Sequence, residues 1–378
     1  MSILSKTSLR SWFMHPNIDF KYLYRGGNLK IVDTIMDRYR DRKICIDKFE
    51  LSYSYFFLIS QPIEKWLDIA LQNGVKYLFF EVSDYSLPIF IILAAKSLTE
   101  LVVESCTLIP VSFSSGVTNC NSLRKLSLSH VKLDEDMLQT LLNCCPLIVS
   151  FIFDQCWGLK KIELLNLQKI KSVSIKNRKE QSQLVKIQAP TLEHLSYDDY
   201  LWGKLDIVEY CNRVQHLKIV LHCSGSLKAA WFCNLRKFLS ISTSCPQVSL
   251  HCSQCNEIDF TDLQLHHGVA TPKVDFLNIH CRWTDGECPT FLDALLWSCH
   301  PRRLNIRSTS ATFKCFINRL ICMKNLSHSS DPWHRQLKEA QAYIFDDSTS
   351  QNWHRVELNK EELSIRFDCK WKMVNYYF

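Results

Sequence analysis

Two short stretches of the sequence decide the fold: residues 98–103 read LTELVV, and residues 123–128 read LRKLSL. Each has an apolar residue at its first, fourth and sixth positions. Successive side chains of a β-strand point to opposite faces, so the fourth and sixth residues share one face. The residue between them lies on the other face. Each stretch therefore predicts a short strand with one apolar face and one exposed face.

The same pattern recurs through most of the chain. The clear copies follow one another at a nearly constant spacing, which falls within the period of about 20–29 residues of leucine-rich repeats. One coil cannot cover its own apolar face, so stacked coils share a continuous core. We therefore predict an α/β fold, a leucine-rich-repeat solenoid of about eight to ten coils, with a curved parallel sheet and with helices or loops on the convex side. Clear copies begin at Leu98, Leu123, Ile148, Ile170, Leu192 and Val214, and weaker ones at Ile46, Val75, Cys255, Val274 and Leu304.

Apolar runs between these strands predict the helices. Residues 63–71 have helical spacing and are followed by Asn73-Gly74, a common helix end. Two further runs, residues 141–145 and 295–299, stop shortly before a proline, which cannot continue a helix. No clean coil can be assigned between Cys223 and Cys252. Near the C-terminus, residues 333–342 predict a short helix and residues 343–378 a closing pair of strands.

Composition excludes several classes of protein. The chain has 378 residues, a formal net charge of +7 and 47% hydrophobic residues, so it is not a wholly disordered chain. Its 9 glycines disfavour glycine-rich phosphate loops, and so mild a charge does not indicate a nucleic-acid or membrane partner. The amino terminus lacks the apolar core of a signal peptide, and the longest apolar stretch, residues 87–95, is too short to span a bilayer. We therefore expect a location in the cytoplasm or nucleus.

The 18 cysteines are interpreted as reduced thiols that act mostly as small apolar residues. Cys106 and Cys156 each stand at the same offset from the start of a repeat, where the leucine-rich consensus has an Asn or Cys bonded to the backbone. Cys252 and Cys255 have the spacing of zinc ligands, and His266-His267 follows. The later cysteines do not form the tight second pair that a zinc ribbon needs. We therefore expect neither a metal site nor a cofactor.

Motifs of catalysis are missing from the sequence, which has no G-x-S-x-G elbow, no H-E-x-x-H helix and no P-loop. We therefore expect a protein that is not an enzyme. The basic segment 38–43 is interrupted by Asp41 and is interpreted as a solvated face. Arg303, Asn305 and Arg307 are expected to project from the concave side of the last repeat strand. No wider basic stripe accompanies them, so a nucleic-acid partner is not expected.

The two ends of the chain, taken with the repeats, resemble a known family. Residues 2–12 and 15–20 read SILSKTSLRSW and HPNIDF, and they resemble the last helix and exit of a plant F-box. Residues 44–51 and 66–80 resemble the segments that follow the F-box, and residues 333–338 resemble the C-terminal region of the same proteins. The chain thus resembles the plant F-box/leucine-rich-repeat family of the FBD-like type, with most of the F-box missing. The matching F-box residues are Leu4, Ser5, Lys6, Trp12, Pro16 and Phe20.

The resemblance implies a function. Members of this family are substrate-recruiting subunits of SCF-type ubiquitin ligases, whose F-box docks on a Skp-type adaptor while the repeats hold the target protein. For this chain it implies three parts: an F-box remnant at residues 1–24, a repeat solenoid at 40–307 and a C-terminal cap at 308–378. Adaptor binding through Leu4, Ser5, Lys6, Trp12 and Pro16 is expected to be weak or lost. The alternative is a stand-alone repeat scaffold, or decoy, that binds protein partners without recruiting a ligase.

The concave face is the expected binding site for a partner protein, because an open sheet presents its side chains in rows. Alternation along the strands selects the residues that lie between the interior positions. Their charges are mixed, so they do not define the chemistry of the partner. The candidates are Glu100, Val102, Glu104, Lys125, Ser127, Ser129, His194, Ser196, Asp198, His216, Lys218 and Val220.

Overall fold

The fold is described from a computed structural model. It covers residues 15–20, 29–53, 60–109, 120–165, 167–177, 184–200, 205–207, 214–223, 227–240, 245–252, 258–259, 263, 271–281, 289–309, 337–345, 353–354 and 362–371. The chain divides into two compact units. Unit 1 comprises Met1–Leu192 with Asp206–Tyr210, and unit 2 comprises Glu193–Leu205 with Cys211–Phe378.

Unit 1 is built on parallel strands in the order β1-β2-β3-β5-β7-β8-β10. Each of these strands pairs in parallel with the next one, as the repeat pattern predicts. Two minor pairs, β4 with β6 and β9 with β11, lie outside this order. The elements are β1 (Asn17–Phe20), α1 (Leu29–Arg42), β2 (Lys48–Tyr53), α2 (Ser60–Gln72), β3 (Tyr77–Val82), β4 (Ser86–Leu87), α3 (Ile89–Leu93), β5 (Glu100–Glu104), β6 (Thr107–Leu108), β7 (Lys125–Ser129), α4 (Glu135–Cys144), β8 (Ser150–Asp154), β9 (Lys161–Leu164), β10 (Ser172–Lys176) and β11 (Leu184–Ile187).

The predicted alternation is present in these strands. Leu101 and Val103 of β5 are fully buried, whereas Val102 between them is part-exposed. The turn after the strand also repeats: Ser105, His130 and Gln155 all have positive φ, at 56°, 52° and 50°. The amide of each donates to a carbonyl of the next coil, at 3.0, 2.8 and 2.7 Å. Successive coils therefore repeat the same strand conformation and the same turn conformation.

The consensus cysteine performs the role that its position predicts. The Cys156 thiol is buried and donates to the carbonyl oxygen of Leu128 on the preceding coil, at 3.3 Å. Burial raises the pKa of this thiol to about 12, and burial likewise raises that of Cys106 to about 12. Both groups are therefore neutral thiols at physiological pH, and Cys156 links two coils.

The first two helices pack on each other and are joined by polar contacts. The indole Nε1 of Trp66 donates to Oδ1 of Asp33 at 2.9 Å, and Lys65 pairs with Asp33 and Asp37. Helix α2 ends where the sequence predicts, with Gly74 at φ +82°. The side chain of Asn73 donates to the carbonyls of Tyr39 and Ile44, both at 2.8 Å, and so ties the end of α2 to the chain that leaves α1.

Unit 2 contains five further parallel strands within the described residues, in the order β12-β14-β15-β16-β17. Helices α5 and α6 pack together through Phe232 and Phe291, whose ring centroids are 5.9 Å apart. The elements are β12 (His194–Asp199), β14 (His216–Cys223), α5 (Ala229–Leu239), β15 (Cys245–Cys252), β16 (Lys273–Cys281), α6 (Pro289–Ser298), β17 (His300–Thr309), β18 (Leu337–Phe345), β19 (Trp353–His354) and β20 (Glu362–Trp371); β13 spans Leu205–Ile207.

The structure corrects three details of the sequence prediction. First, β15 is a repeat strand in the segment for which no coil could be assigned, and the weak copy beginning at Cys255 does not form a strand within residues 258–259. Second, β1 adds another repeat strand, so in the described parts the main parallel order has seven strands in unit 1 and five in unit 2. Third, residues 337–342 belong to strand β18 and not to a helix. The closing strand pair predicted within residues 343–378 is confirmed in part: β18 and β20 pair antiparallel, but β18 begins at Leu337.

The helices within the described residues are all too short or too polar to cross a membrane.

Candidate functional site

The exposed side of the unit 1 strands carries three rows of side chains set by the strand register. The middle row, which we call the apolar row, places Phe79, Val102, Ser127 and Ile152 on adjacent strands. Phe79, Val102 and Ile152 are part-exposed, whereas Ser127 is only 7% exposed. The apolar row is therefore a short apolar strip on the side of the sheet opposite the core.

Charged side chains flank the apolar row on both sides. On one side, Lys125 pairs with Glu100 across β7 and β5. On the other side the register aligns Glu81, Glu104, Ser129, Asp154 and Lys176. Glu81 accepts a hydrogen bond of 2.7 Å from Ser52. The six candidates of unit 1 thus lie on one face, with Val102 and Ser127 in the apolar row, Glu100 and Lys125 on one side, and Glu104 and Ser129 on the other.

The candidates of unit 2 lie on the exposed side of β12 and β14. The rings of His194 and His216 stack with centroids 4.7 Å apart and planes 8° apart. The register places Ser196 beside Lys218, and Asp198 beside Val220. Oδ1 of Asp198 lies 3.0 Å from Nε2 of His222, a residue that the repeat alternation did not select.

A larger feature of unit 2 was missed by the sequence analysis. His222, His251 and His280 stand at equivalent positions of β14, β15 and β16, and each ring stacks on the next. We call these three residues the imidazole column. A signal for it was present, because each of these histidines is followed by a cysteine and the three His-Cys pairs are evenly spaced along the sequence.

Beside the imidazole column runs a row of amide and hydroxyl groups. Nδ2 of Asn305 donates to Oδ1 of Asn278 at 2.7 Å, and Nδ2 of Asn278 donates to Oγ of Ser249 at 3.1 Å. On the opposite side of this row, the Arg303 guanidinium lies 5.4 Å from the centroid of the Phe276 ring. Arg303, Asn305 and Arg307 therefore project from the exposed side of β17, as the sequence predicts, while Leu304 and Ile306 are buried.

Of the two cysteines with zinc-ligand spacing, Cys252 lies on the interior side of its strand. Cys223, Cys252 and Cys281 form an in-register row of buried side chains. The thiol interaction with Cys281, together with burial, raises the pKa of Cys252 well above its usual range. Within the described residues, no group of three or more His, Cys, Asp or Glu side chains could hold a metal ion. Cys255, His266 and His267 lie outside them.

Most of the F-box candidates cannot be placed. Leu4, Ser5, Lys6 and Trp12 lie outside the described residues. The carbonyl of Pro16 accepts hydrogen bonds from the amides of Asp47 and Lys48, at 2.8 and 3.2 Å. Pro16 therefore joins the segment before β1 to the start of β2, and its role in adaptor binding stays a prediction.

The parallel strands, the repeated turn and the coil-to-coil Cys156 bond are consistent with an α/β leucine-rich-repeat fold. Residues 63–218 match a family model of the leucine-rich repeats of the FBD-associated F-box protein At5g56370. The chain is 25% identical over 205 residues to F-box/LRR-repeat protein 25 of Arabidopsis thaliana, a match that covers 52% of this chain and 76% of the relative. It is 26% identical over 156 residues to F-box/LRR-repeat protein At3g03360 of the same plant, covering 39% of this chain and 32% of that relative. These matches confirm the resemblance to plant F-box/leucine-rich-repeat proteins.

Proposed function

We propose that this chain is a non-catalytic protein-binding subunit that holds a target protein on the exposed side of its repeat strands, in the manner of a substrate receptor of an SCF-type ubiquitin ligase. The similarity to F-box/LRR-repeat proteins supports the receptor role. On the same ground we propose that residues 1–24 are an F-box segment, 40–307 the repeats and 308–378 the cap. The proposed location is the cytoplasm or nucleus.

The apolar row of unit 1 is the observation that carries this proposal. Phe79, Val102 and Ile152 project on the face opposite the core, where they do not serve the packing of the interior. Charged residues border them on both sides. An apolar centre with a polar rim is the usual composition of a protein–protein interface. Groups arranged in this way suit the binding of another folded protein.

Site-specific photo-crosslinking tests the proposal. A benzophenone amino acid replaces Val102 in the apolar row, and as a control it replaces Leu184, which is 45% exposed on β11 of the same unit. We expect discrete protein adducts from position 102 and not from position 184, and we expect Phe79→Asp to abolish them. Equal adducts from the two positions, or adducts that persist in Phe79→Asp, would contradict binding at this face.

Coupling to a ligase is tested separately. We propose that Leu4, Ser5, Lys6, Trp12 and Pro16 contact a Skp-type adaptor more weakly than an intact F-box does. The full chain is co-purified with such an adaptor, beside a homologue that contains an intact F-box, and Trp12→Ala serves as the matched variant. Retention that is lost in Trp12→Ala supports the receptor role. A partner that crosslinks at position 102 without adaptor retention assigns the chain to the alternative class, a repeat scaffold that binds its partner without recruiting a ligase.

A further inference from the structure

The imidazole column is a continuous stack of rings on the exposed side of unit 2. Ring centroids of His222 and His251 are 4.6 Å apart, and those of His251 and His280 are 4.5 Å apart, with planes within 19° and 11° of parallel. Tyr200 extends the stack at one end, 4.2 Å from His222. At the other end the register places Arg307 beside His280. All three histidines are part-exposed, so a partner can reach them.

The column does not have the geometry of a metal site. Its rings lie nearly parallel and one strand apart, so their nitrogen lone pairs do not converge on a point as tetrahedral ligands do. The column instead presents a line of N–H edges. A neutral imidazole offers one N–H donor and an imidazolium offers two. Such a line can donate hydrogen bonds to a row of anionic oxygens.

The charged groups around the column favour an anion. Lys218 of β14 and Arg303 and Arg307 of β17 lie on the exposed side of their strands. Against these cations, β12 provides Asp198, which already contacts His222. At the start of β16, Lys273 and Asp275 are exposed and opposite in charge. The neighbouring β20 aligns Ser364 with Arg307, Arg366 with Asn305 and Asp368 with Arg303.

Protonation of the histidines in the column depends on the charged groups around it. Burial, followed by the Arg307 guanidinium, lowers the pKa of His280. Stacked imidazolium ions would also repel one another at a separation of about one strand spacing. An anion bound along the column offsets both costs, so it must raise the proton affinity of the rings. By linkage, a ligand that favours the protonated form binds more tightly as the pH falls.

We propose that the imidazole column, with Lys218, Arg303 and Arg307, is the binding site for an acidic segment of the partner polypeptide, and that this binding strengthens between neutral and mildly acidic pH. The inference rests on the proposed function, since it specifies the chemistry of the protein partner. The site from Tyr200 to Arg307 crosses four strand spacings, roughly 19 Å, which an extended segment of about six residues spans.

Carboxylates of a polypeptide fit this chain better than the phosphates of a nucleic acid. Asp198 and Asp275 stand on the strands of unit 2 among these basic residues, and they disfavour a long polyanion. Arg307 stands beside the column, and Lys218 and Arg303 lie beyond the neighbouring row of amide and hydroxyl groups, an arrangement that matches a short acidic segment. The column is made of imidazole side chains, which do not form a groove of fixed positive charge as lysines and arginines do.

Fluorescence anisotropy with a fluorescein-labelled peptide of six glutamates tests the inference on the full-length chain. Titrations are made at constant low ionic strength at about pH 7.5 and about pH 5.5, on either side of the ordinary histidine pKa. We expect the affinity to rise about fivefold at the lower pH, the change given by one histidine proton that the complex binds about tenfold more tightly than the free chain. Circular dichroism at both pH values checks that the chain stays folded.

Variants assign the effect to the column. His251→Gln removes the central ring and is expected to reduce the pH effect to less than about threefold; substitution of all three histidines by Gln is expected to remove it. Arg307→Gln is expected to weaken binding at both pH values. Lys237→Gln makes the same charge change on the exposed surface of α5 in unit 2 and is expected to leave binding unchanged.

The following results of these experiments would overturn the inference. Equal wild-type affinity at the two pH values, or a full pH effect in His251→Gln, would overturn the inference. So would displacement of the peptide by a single-stranded hexanucleotide at a lower concentration than by unlabelled hexaglutamate. A partner that crosslinks at position 102 but is indifferent to pH and to the column variants would leave the proposed function intact and remove only this inference.

Discussion

The buried indole of Trp66 donates its one N–H to a carboxylate oxygen of Asp33, across the contact between α2 and α1. Trp66 is 1% exposed, whereas the Asp33 side chain is 43% exposed, so the bond lies at the edge of the buried helix contact. The hydrogen bond from Trp66, with that from Lys65, lowers the pKa of Asp33. This pair therefore anchors the first helix of unit 1 to the second.

Asp33→Ala is expected to destabilise unit 1 by about 1–3 kcal/mol, the cost of leaving a buried donor without a partner. Denaturant unfolding followed by circular dichroism measures the change. Asp37→Ala is the matched control, because it removes a second carboxylate of Lys65 and leaves the Trp66 bond in place. The control is expected to cost about 1 kcal/mol or less. An equal loss in the two variants would mean that the lysine pairs, and not the indole bond, stabilise the contact.

The buried side chain of His300 is expected to make the folded chain less stable in acid. Burial, followed by Arg236 and Lys273, lowers its pKa from 6.5 to about 4. Between these values the unfolded chain binds a proton that the folded chain does not, so stability falls as the pH drops from about 6.5 to about 4. The slope from this group is at most about 1.4 kcal/mol per pH unit. His300→Asn, which does not titrate, is expected to unfold with a shallower pH dependence in this window; an unchanged slope would remove His300 as its cause.

Gly158 is expected to tolerate alanine less well than Gly74, although both have positive φ, at 102° and 82°. A Cβ on Gly158 would lie 2.4 Å from the carbonyl oxygen of Leu133, whereas one on Gly74 meets no atom within 4 Å. Gly74→Ala should therefore cost only the conformational penalty of about 1–2 kcal/mol, and Gly158→Ala clearly more. Thermal unfolding of the two variants compares them. Equal losses would show that the backbone at Gly158 shifts to admit the methyl group.

Adjacent valines on β5 test the two faces of the strand. Val103 is fully buried, and Val103→Ala is expected to cost about 2 kcal/mol through lost packing. Val102 lies in the apolar row on the exposed side, and Val102→Ala is expected to change stability by less than about 0.5 kcal/mol while weakening partner capture. Chemical denaturation separates the two effects. A large stability loss in Val102→Ala would assign this residue to the core.

Local alternation was sufficient to predict most of the repeat strands, because each coil places its own apolar residues toward the interior. Strand β15 was missed because the weak copy at Cys255 was weighed in its place. The signal was available: Cys245, Val248 and Leu250 stand at the first, fourth and sixth positions of the repeat pattern, with a cysteine at the first position. Strand β18 was taken for a helix because its partner β20 is distant in sequence, and pairing overrode a weak local preference.

For the candidate sites, too, the features set by neighbouring residues were predicted and those set by distant residues were missed. Alternation selected the side of each strand on which Val102, Glu104 and Lys218 lie, since that depends on neighbouring residues only. It could not select the imidazole column, because stacking depends on the lateral register of strands that are far apart in the sequence. Nor could it identify the Trp66–Asp33 bond, which joins two helices through side chains 33 positions apart.

The His-Cys pairs of unit 2 recur at an even spacing along the chain. Insertion or deletion of one whole coil would therefore change the number of rings in the imidazole column by one. Excision of residues 253–281 would join Cys252 to the chain that now follows Cys281. The remaining histidines and cysteines would keep their positions in the imidazole column and in the row of buried thiols. Duplication of the same segment would add one ring to the imidazole column and one thiol to the row of buried cysteines. Tandem rearrangement of the gene could thus lengthen or shorten the titrating surface in unit steps, without altering any single strand.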